Sequence, residues 1–412
     1  MKLKLTALIL AFAMLLAACA PKVQYPQDPV ESRPETGLYT CFDDYPNSKW
    51  THMTEDGIFF NKYFDYNGEL KIHLMYYDIA TGITQAYCFT EGCDHSDDTC
   101  GAYLPSYADI INVDPKTGYV YVYYKTGELS PEEYDIQKLD VIKNGERTTL
   151  FTMSDGQRDG PLIFGDNGLY LPVRHYRPNN ESTLEVIKID PETGRIAPVI
   201  SQGVVDDFYS DIFAAAGEYL YACKPDSMYE RENRADRFTV WRININTGEK
   251  EMIYSYTYPG FANTKIAMGT DCIYTIEPDE SGEKGTLVRI NLPGGDTQTV
   301  TEDTWYEQYG FDISYSHGFI FQETMGLPEK APMGVQVIDP VTGEKTDITL
   351  QGNGHYYSYQ GSNEKYVLVR CFDEYDRPYS ALIEKEKFLA NTDEFRATLS
   401  TESSMVNKSS QY

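Results

Sequence analysis

Positive charge and histidine are scarce in this sequence. Thirty-five Lys and Arg stand against 63 Asp and Glu, a net charge of −28 at neutral pH, and six histidines are spread over 412 residues. A chain this poor in cations lacks the clustered Lys and Arg that grip phosphate backbones, which excludes nucleic acid as a ligand class. An anionic membrane surface would repel such a body for the same reason. Also missing are the patterns G-x-S-x-G, G-x-x-x-x-G-K-[ST], H-E-x-x-H and the calcium-binding EF-hand loop. Their absence removes the local signatures of serine hydrolases, nucleotide-binding loops, zinc proteases and calcium sites. No catalytic residue is assigned from the sequence. Carboxylates and histidines drawn together from distant segments would leave no spacing to read.

One apolar run is present, at the amino terminus. "MKLKLTALILAFAMLLAACAPK" places two lysines before an apolar stretch from Leu5 to Ala18 and a small-residue approach to Cys19. The stretch is shorter than the ~20 residues that span a bilayer, and fits the core of a cleaved export signal over 1–18. Leu16-Ala17-Ala18-Cys19 resembles the lipobox of bacterial lipoproteins. That resemblance implies lipid attachment at Cys19, cleavage just before it, and a protein held on the outer face of the cell membrane by its acyl chains. Residues 19–36, polar and rich in proline, are expected to be a flexible tether. Residues 400–412 carry no apolar periodicity and are expected to be a disordered tail.

Between these ends, over 37–399, two phrases recur. The first is an aromatic strand after a Gly or Asp turn, as in "DGIFFNKYF" from Asp56, "GYVYVYY" from Gly118, "NGLYLPV" from Asn167 and "HGFIFQE" from His317. The second is a strand ending in a turn of the kind D-x-x-T-G, as in "VIKIDPETGRIAPVI" and "VQVIDPVTGEKTDI". The glycines of the second phrase, Gly82, Gly145, Gly194, Gly248, Gly295 and Gly343, lie 63, 49, 54, 47 and 48 residues apart. Asn or Asp opens such a turn and Gly takes the positive φ. Up to four short strands in each of seven units of roughly fifty residues predicts an all-β fold, a seven-bladed β-propeller with four-stranded antiparallel blades. Two stacked sandwiches are the alternative. Thirty-five tyrosines suit such a β-rich body. The sequence resembles lipid-anchored seven-bladed β-propeller proteins of Gram-positive bacteria, from residue 45 to about 399. The last unit lacks the D-x-x-T-G turn, so ring closure is expected to use an atypical outer strand, with "GLYTCF" at 37–42 a candidate contributor. Helix is expected only as a turn near "EKEKFLAN".

The clearest candidate for chemistry is "CFTEGCDHSDDTC", which places Cys88, Cys93, His95 and Cys100 in one loop as C-x4-C-x-H-x4-C. Three thiolates and an imidazole fill a tetrahedral sphere, so a structural zinc is expected with no open position for catalysis. The usual C-x2-C knuckle is absent, and an exported protein favours disulfides, for which Cys41 is a distant partner. Disulfides and free thiols therefore stay open, although a disulfide leaves His95 unexplained. Similar loops are a looser point of resemblance to propeller lipoproteins of anaerobic Gram-positive bacteria, whose habitat would keep thiols available for metal. His317 and His355 stand beside aromatic strands and could line a channel, but a lone histidine there is more often structural. Asp206 and Asp207 would point to opposite faces of a strand, and "EPDESGEKG" at 277–285 reads as a solvated hairpin tip. The function expected is binding of a protein, peptide or glycan ligand by a membrane-anchored propeller; a glycan hydrolase or lyase is the alternative.

Overall fold

In a computed structural model the described residues are 51–399 and 404–405, leaving out 67–68, 96–97, 106–107, 115, 131–134, 167, 177–181, 202–211, 226–235, 259–265, 307–312, 325–333, 350–357 and 373–377. Blade 1 contains β1 (Thr51–Met53), β2 (Gly57–Tyr66), β3 (Glu69–Asp78) and β4 (Ile83–Ala86), with β5 (Tyr103–Leu104) added beside β3. Blade 2 is β6 (Ala108–Val113), β7 (Val120–Leu129), β8 (Asp135–Lys143) and β9 (Glu146–Met153). Blade 3 has a first strand in two pieces, β10 (Gly156–Arg158) and β11 (Ile163–Gly165), both paired with β12 (Gly168–Tyr176), then β13 (Ser182–Ile189) and β14 (Ile196–Ser201). Blade 4 is β15 (Ile212–Ala216), β16 (Tyr219–Pro225), β17 (Asp236–Asn244) and β18 (Lys250–Tyr258). Blade 5 is β19 (Ile266–Met268), β20 (Cys272–Pro278), β21 (Lys284–Asn291) and β22 (Thr297–Trp305). Blade 6 is β23 (Ile313–Ser316), β24 (Phe319–Thr324), β25 (Gly334–Ile338) and β26 (Lys345–Ile348). Blade 7 is β27 (Ser358–Ser362), β28 (Tyr366–Phe372), β29 (Pro378–Glu384) and β30 (Phe395–Leu399). Every blade pairs its strands antiparallel in chain order, and the whole is the expected seven-bladed β-propeller.

The alternation within single strands explains why the blades stack. In "VYVYY" of β7, Val120, Val122 and Tyr124 pack into the cluster shared with blade 1, while Tyr121 and Tyr123 pack into the cluster shared with blade 3. Successive side chains point to opposite faces, so a strand apolar at every position buries both faces of its sheet. Seven such clusters follow one another around the ring, and the last joins Ile58, Phe60 and Met75 of blade 1 to Leu368, Leu382 and Leu399 of blade 7. First strands of neighbouring blades touch, as β1 does with β6 and β27, which places them innermost.

The first repeated phrase is the second strand of each blade, and the D-x-x-T-G turn joins the third strand to the fourth. Asp339 is typical: its side chain accepts the amides of Val341 (2.8 Å) and Thr342 (3.2 Å), and its carbonyl accepts that of Gly343 (2.8 Å). The same turn also occurs where the repeat does not require it, at Asp114–Gly118 between β6 and β7. In blade 7 the turn is replaced by a five-residue helix, α1 (Lys385–Leu389), which buries Phe388 and leads to β30. Blade 7 thus supplies its own fourth strand, so the expectation of a borrowed outer strand is corrected; residues 37–42 lie outside the described residues. Of the stretch read as a disordered tail, Ser404–Met405 forms β31, parallel to β2 at Phe64 and Asp65. That edge is open because β1 pairs with β2 only as far as Phe60. The signal, the tether and Cys19 lie outside the described residues.

Candidate metal centre on the outer edge of blade 1

β3 and β4 pair as far as Met75 and Ala86, after which the chain leaves the sheet. It returns as β5, which pairs with the same strand at Ile72 and His73. Both ends of the excursion are fastened to one residue: Tyr87 donates its amide to the Leu74 carbonyl (2.9 Å), and Leu74 donates to that of Ala102 (2.8 Å). The loop is therefore a detour within the outer edge of blade 1 and not a plain crossing between blades 1 and 2. Tyr87 and Phe89 pack on the blade 2 side, whereas Cys88, Cys93 and Cys100 belong to the cluster shared with blade 7.

Inside the detour, two turns bring the ligands together. Cys93 donates its amide to the Thr90 carbonyl (3.2 Å) across Gly92, and Tyr103 donates to that of Cys100 (3.0 Å). Gly92 has φ +73° and His95 φ +58°, the left-handed region, which histidine enters more readily than most side chains. The three sulfurs and a ring nitrogen of His95 lie within 4.8 Å of one another, and His95 Nδ1 is 3.2 Å from Cys100 Sγ. A tetrahedral ion with sulfurs at ~2.3 Å would set them about 3.8 Å apart, so the site needs only a small contraction to take one. Cys88, Cys93 and Cys100 are free thiols. Cys41 lies outside the described residues.

The surroundings suit thiolates unequally. Burial pushes both Cys88 and Cys100 up, but at Cys88 the amide and hydroxyl of Thr90 and the amide of Gly101 outweigh it and hold the thiol below its ordinary value. Cys100 is pushed up to about 12 by burial and the neighbouring sulfurs, with the Ala102 amide 3.4 Å from its Sγ opposing the shift. Beneath the loop lies His73 of β3, fully buried. Burial pulls it down to about 4, which leaves it neutral at physiological pH.

No family model matches the chain, and no curated protein matches it. Solved structures do, through the fold. The β-propeller domain of the Trilobed protease from Pyrococcus furiosus has a TM-score of 0.50 at 8% identity, over 84% of this chain and 97% of that one. An oligogalacturonate lyase in complex with manganese has a TM-score of 0.50 at 9% identity, over 87% and 89%. An uncharacterised protein from Listeria monocytogenes has a TM-score of 0.51 at 10% identity, over 94% and 100%. At such identities the likeness is one of fold alone.

The other sequence candidates have structural surroundings. His317 stands in the β23–β24 turn with Nε2 2.7 Å from Glu55 Oε1 and Nδ1 2.8 Å from the Ser316 hydroxyl. It belongs to the seam where the ring closes. Within 277–285, Glu277 and Pro278 end β20 and Lys284 and Gly285 begin β21, so the solvated hairpin tip is 279–283, where Asp279 accepts the amides of Ser281 (2.9 Å) and Gly282 (3.0 Å). His355, Asp206 and Asp207 lie outside the described residues. Sequence reading missed His73, whose signal is a histidine inside the apolar run "LKIHLMYY".

Proposed function

We propose that this protein is a lipid-anchored, extracytoplasmic propeller that binds a protein, peptide or glycan, and that Cys88, Cys93, His95 and Cys100 hold one structural zinc. The observation that carries the binding reading is the make-up of the first strands, which line the centre of the ring. Among their described residues, β1, β6, β10, β11, β15, β19, β23 and β27 contain one carboxylate, Asp109, and one histidine, His52. Walls of mainly small, apolar, hydroxyl and amide residues, with one guanidinium at Arg158, offer contact surface but few groups for acid–base work. Because strands alternate in direction, the connections between second and third strands emerge at the same end of the ring as those between blades. That end of the ring is the binding face. Loops on a rigid scaffold commonly carry recognition.

The anchor rests on the lipobox resemblance at Cys19. Native protein is expected to partition into the detergent phase, and Cys19→Ala to release it or leave it unprocessed; equal partitioning of the two forms rejects the anchor. The binding reading is tested by incubating purified protein with a panel of cell-wall and plant glycans. Retention without new sugar ends supports it, and catalytic release of new ends replaces it with the hydrolase or lyase alternative.

For the centre, protein purified under reducing conditions should contain about one zinc per chain, falling sharply in His95→Ala. Metal-free protein with Cys88, Cys93 or Cys100 in disulfides would make the loop a covalent staple instead. When bound, the ion would supply cross-linking of the loop, since four protein ligands leave no position for substrate.

A further inference from the structure

We infer that the seam between blades 5 and 6 encloses a bound water molecule held by Thr304, Tyr306, Gln322 and Gln336. Two neighbouring strands of blade 6 supply the amides. Gln322 in β24 and Gln336 in β25 are register partners, as are Ile320 and Ile338 two residues away. The two isoleucines belong to the core shared with blade 5, so strand alternation turns both glutamines toward that blade. Blade 5 supplies the hydroxyls from the end of its outer strand. Tyr306 lies in the same core, and Thr304 pairs with Gly285, two residues before Leu287 of that core. A hydrogen bond joins the two sides: Gln322 donates Nε2 to the carbonyl of Trp305, the residue between Thr304 and Tyr306.

All four residues are buried, Thr304 0%, Gln322 2%, Tyr306 3% and Gln336 4% exposed. Thr304 Oγ1, the Tyr306 hydroxyl and the Oε1 atoms of Gln322 and Gln336 have no hydrogen-bond partner among the described residues. A buried polar atom left unmet carries the full cost of its lost hydration. The other end of each amide fixes which way it faces, since Gln336 donates Nε2 to Asp347 Oδ1 (2.8 Å) and Gln322 donates to the Trp305 carbonyl. Both Oε1 atoms are therefore acceptors in need of a donor. Burial pushes Tyr306 up to about 12, so its hydroxyl keeps its proton and, like that of Thr304, is free to donate. Two acceptors and two donors are the complement of one water, which donates twice and accepts twice. Buried waters bridge such groups with about three hydrogen bonds each. An alkali cation would satisfy the amide oxygens but leave both hydroxyl protons to find acceptors elsewhere.

Shape-conserving substitutions in the full chain test this by the sign of their effect. Tyr306→Phe and Thr304→Val each delete one hydroxyl and keep the packing. A hydroxyl bonded to a held water is lost at a cost, so the unfolding equilibrium constant, measured in urea, should rise about fivefold in each variant. An unmet hydroxyl is better absent, so a constant that stays level or falls in either variant overturns the inference. A high-resolution crystal structure of the wild type then names the occupant. One ordered density peak is expected, about 2.6–3.1 Å from at least three of the four oxygens. Direct hydrogen bonds among the four side chains with no peak between them overturn the water. So does a peak that gives an anomalous signal after a rubidium soak, which marks an alkali cation in its place.

Discussion

Asp140 is buried in β8, and three side chains converge on its carboxylate. Tyr124 donates its hydroxyl to Oδ2 (2.9 Å), Arg147 donates Nε to the same oxygen (2.5 Å), and Thr149 donates to Oδ1 (2.7 Å). Arg147 also donates Nη1 to the Tyr103 carbonyl (2.6 Å), so a charge pair in blade 2 steadies β5 beneath the metal loop. Burial, together with the nearby carboxylate, pushes Tyr124 up to about 12 despite the opposing guanidinium. Asp140→Ala removes the acceptor from all three donors and leaves Arg147, 19% exposed, without its counter-charge. Removing one partner of such a pair costs about 3–5 kcal/mol. Urea unfolding should show that loss, and Asp140→Asn a smaller one; a loss under ~1 kcal/mol for alanine would mean water replaces the network.

At the scale of elements, the turn between third and fourth strands also shapes the contact with the preceding blade. Gly343 has φ +74°, and a Cβ built there would lie 2.7 Å from the Val300 carbonyl oxygen in β22. Gly248 has φ +73°, but its Cβ would meet nothing within 4 Å. Gly248→Ala should therefore cost about 1 kcal/mol, the strain of left-handed backbone alone. Gly343→Ala adds a clash with backbone that cannot rotate away, and should cost about 2–4 kcal/mol. Paired denaturation curves decide the matter, since equal losses would remove the inter-blade clash from the account. The turn itself was legible because Asp, Thr and Gly satisfy one another within five residues. Its second use, at Asp114–Gly118, was not, since the same five residues close either hairpin of a blade.

At the scale of the molecule, the ring closes through side chains that reach across the chain's length. Asn363, 1% exposed, donates Nδ2 to the carbonyls of Thr54 (3.1 Å) and Glu55 (3.2 Å), while its Oδ1 accepts the amides of Lys365 (2.9 Å) and Tyr366 (2.7 Å). Glu55 in turn meets His317 and accepts the Glu364 amide. Burial pushes Glu55 up, but the His317 hydrogen bond and charge, the Glu364 amide and the charge of Lys385 outweigh it and hold the carboxyl below its ordinary 4.5. A carboxyl lowered on folding stabilises the fold fully above its unfolded value and loses that contribution as pH falls through the folded one. Stability of the wild type should therefore fall from pH 6 into the range below about 4.5, and Glu55→Gln should flatten part of that limb. Denaturant midpoints at several pH values check this; parallel acid losses in both proteins would take Glu55 out of the seam's pH response.

The sequence by itself determined the number and kind of units, because strand alternation and hairpin turns act over a few neighbouring residues, as "VYVYY" and "DPVTG" show. It also determined the ligand set of the loop, since Cys88, Cys93, His95 and Cys100 lie close along the chain. Only the tertiary structure decided that the loop is a detour within one outer strand, that His73 lies beneath it, and that blade 7 completes itself with Phe395–Leu399. The same holds for the seam, where Asn363 and Thr54 meet across 309 positions. Such contacts depend on the ring bringing distant backbone together, and a hydrogen bond formed only on closure leaves no periodicity in the sequence to read.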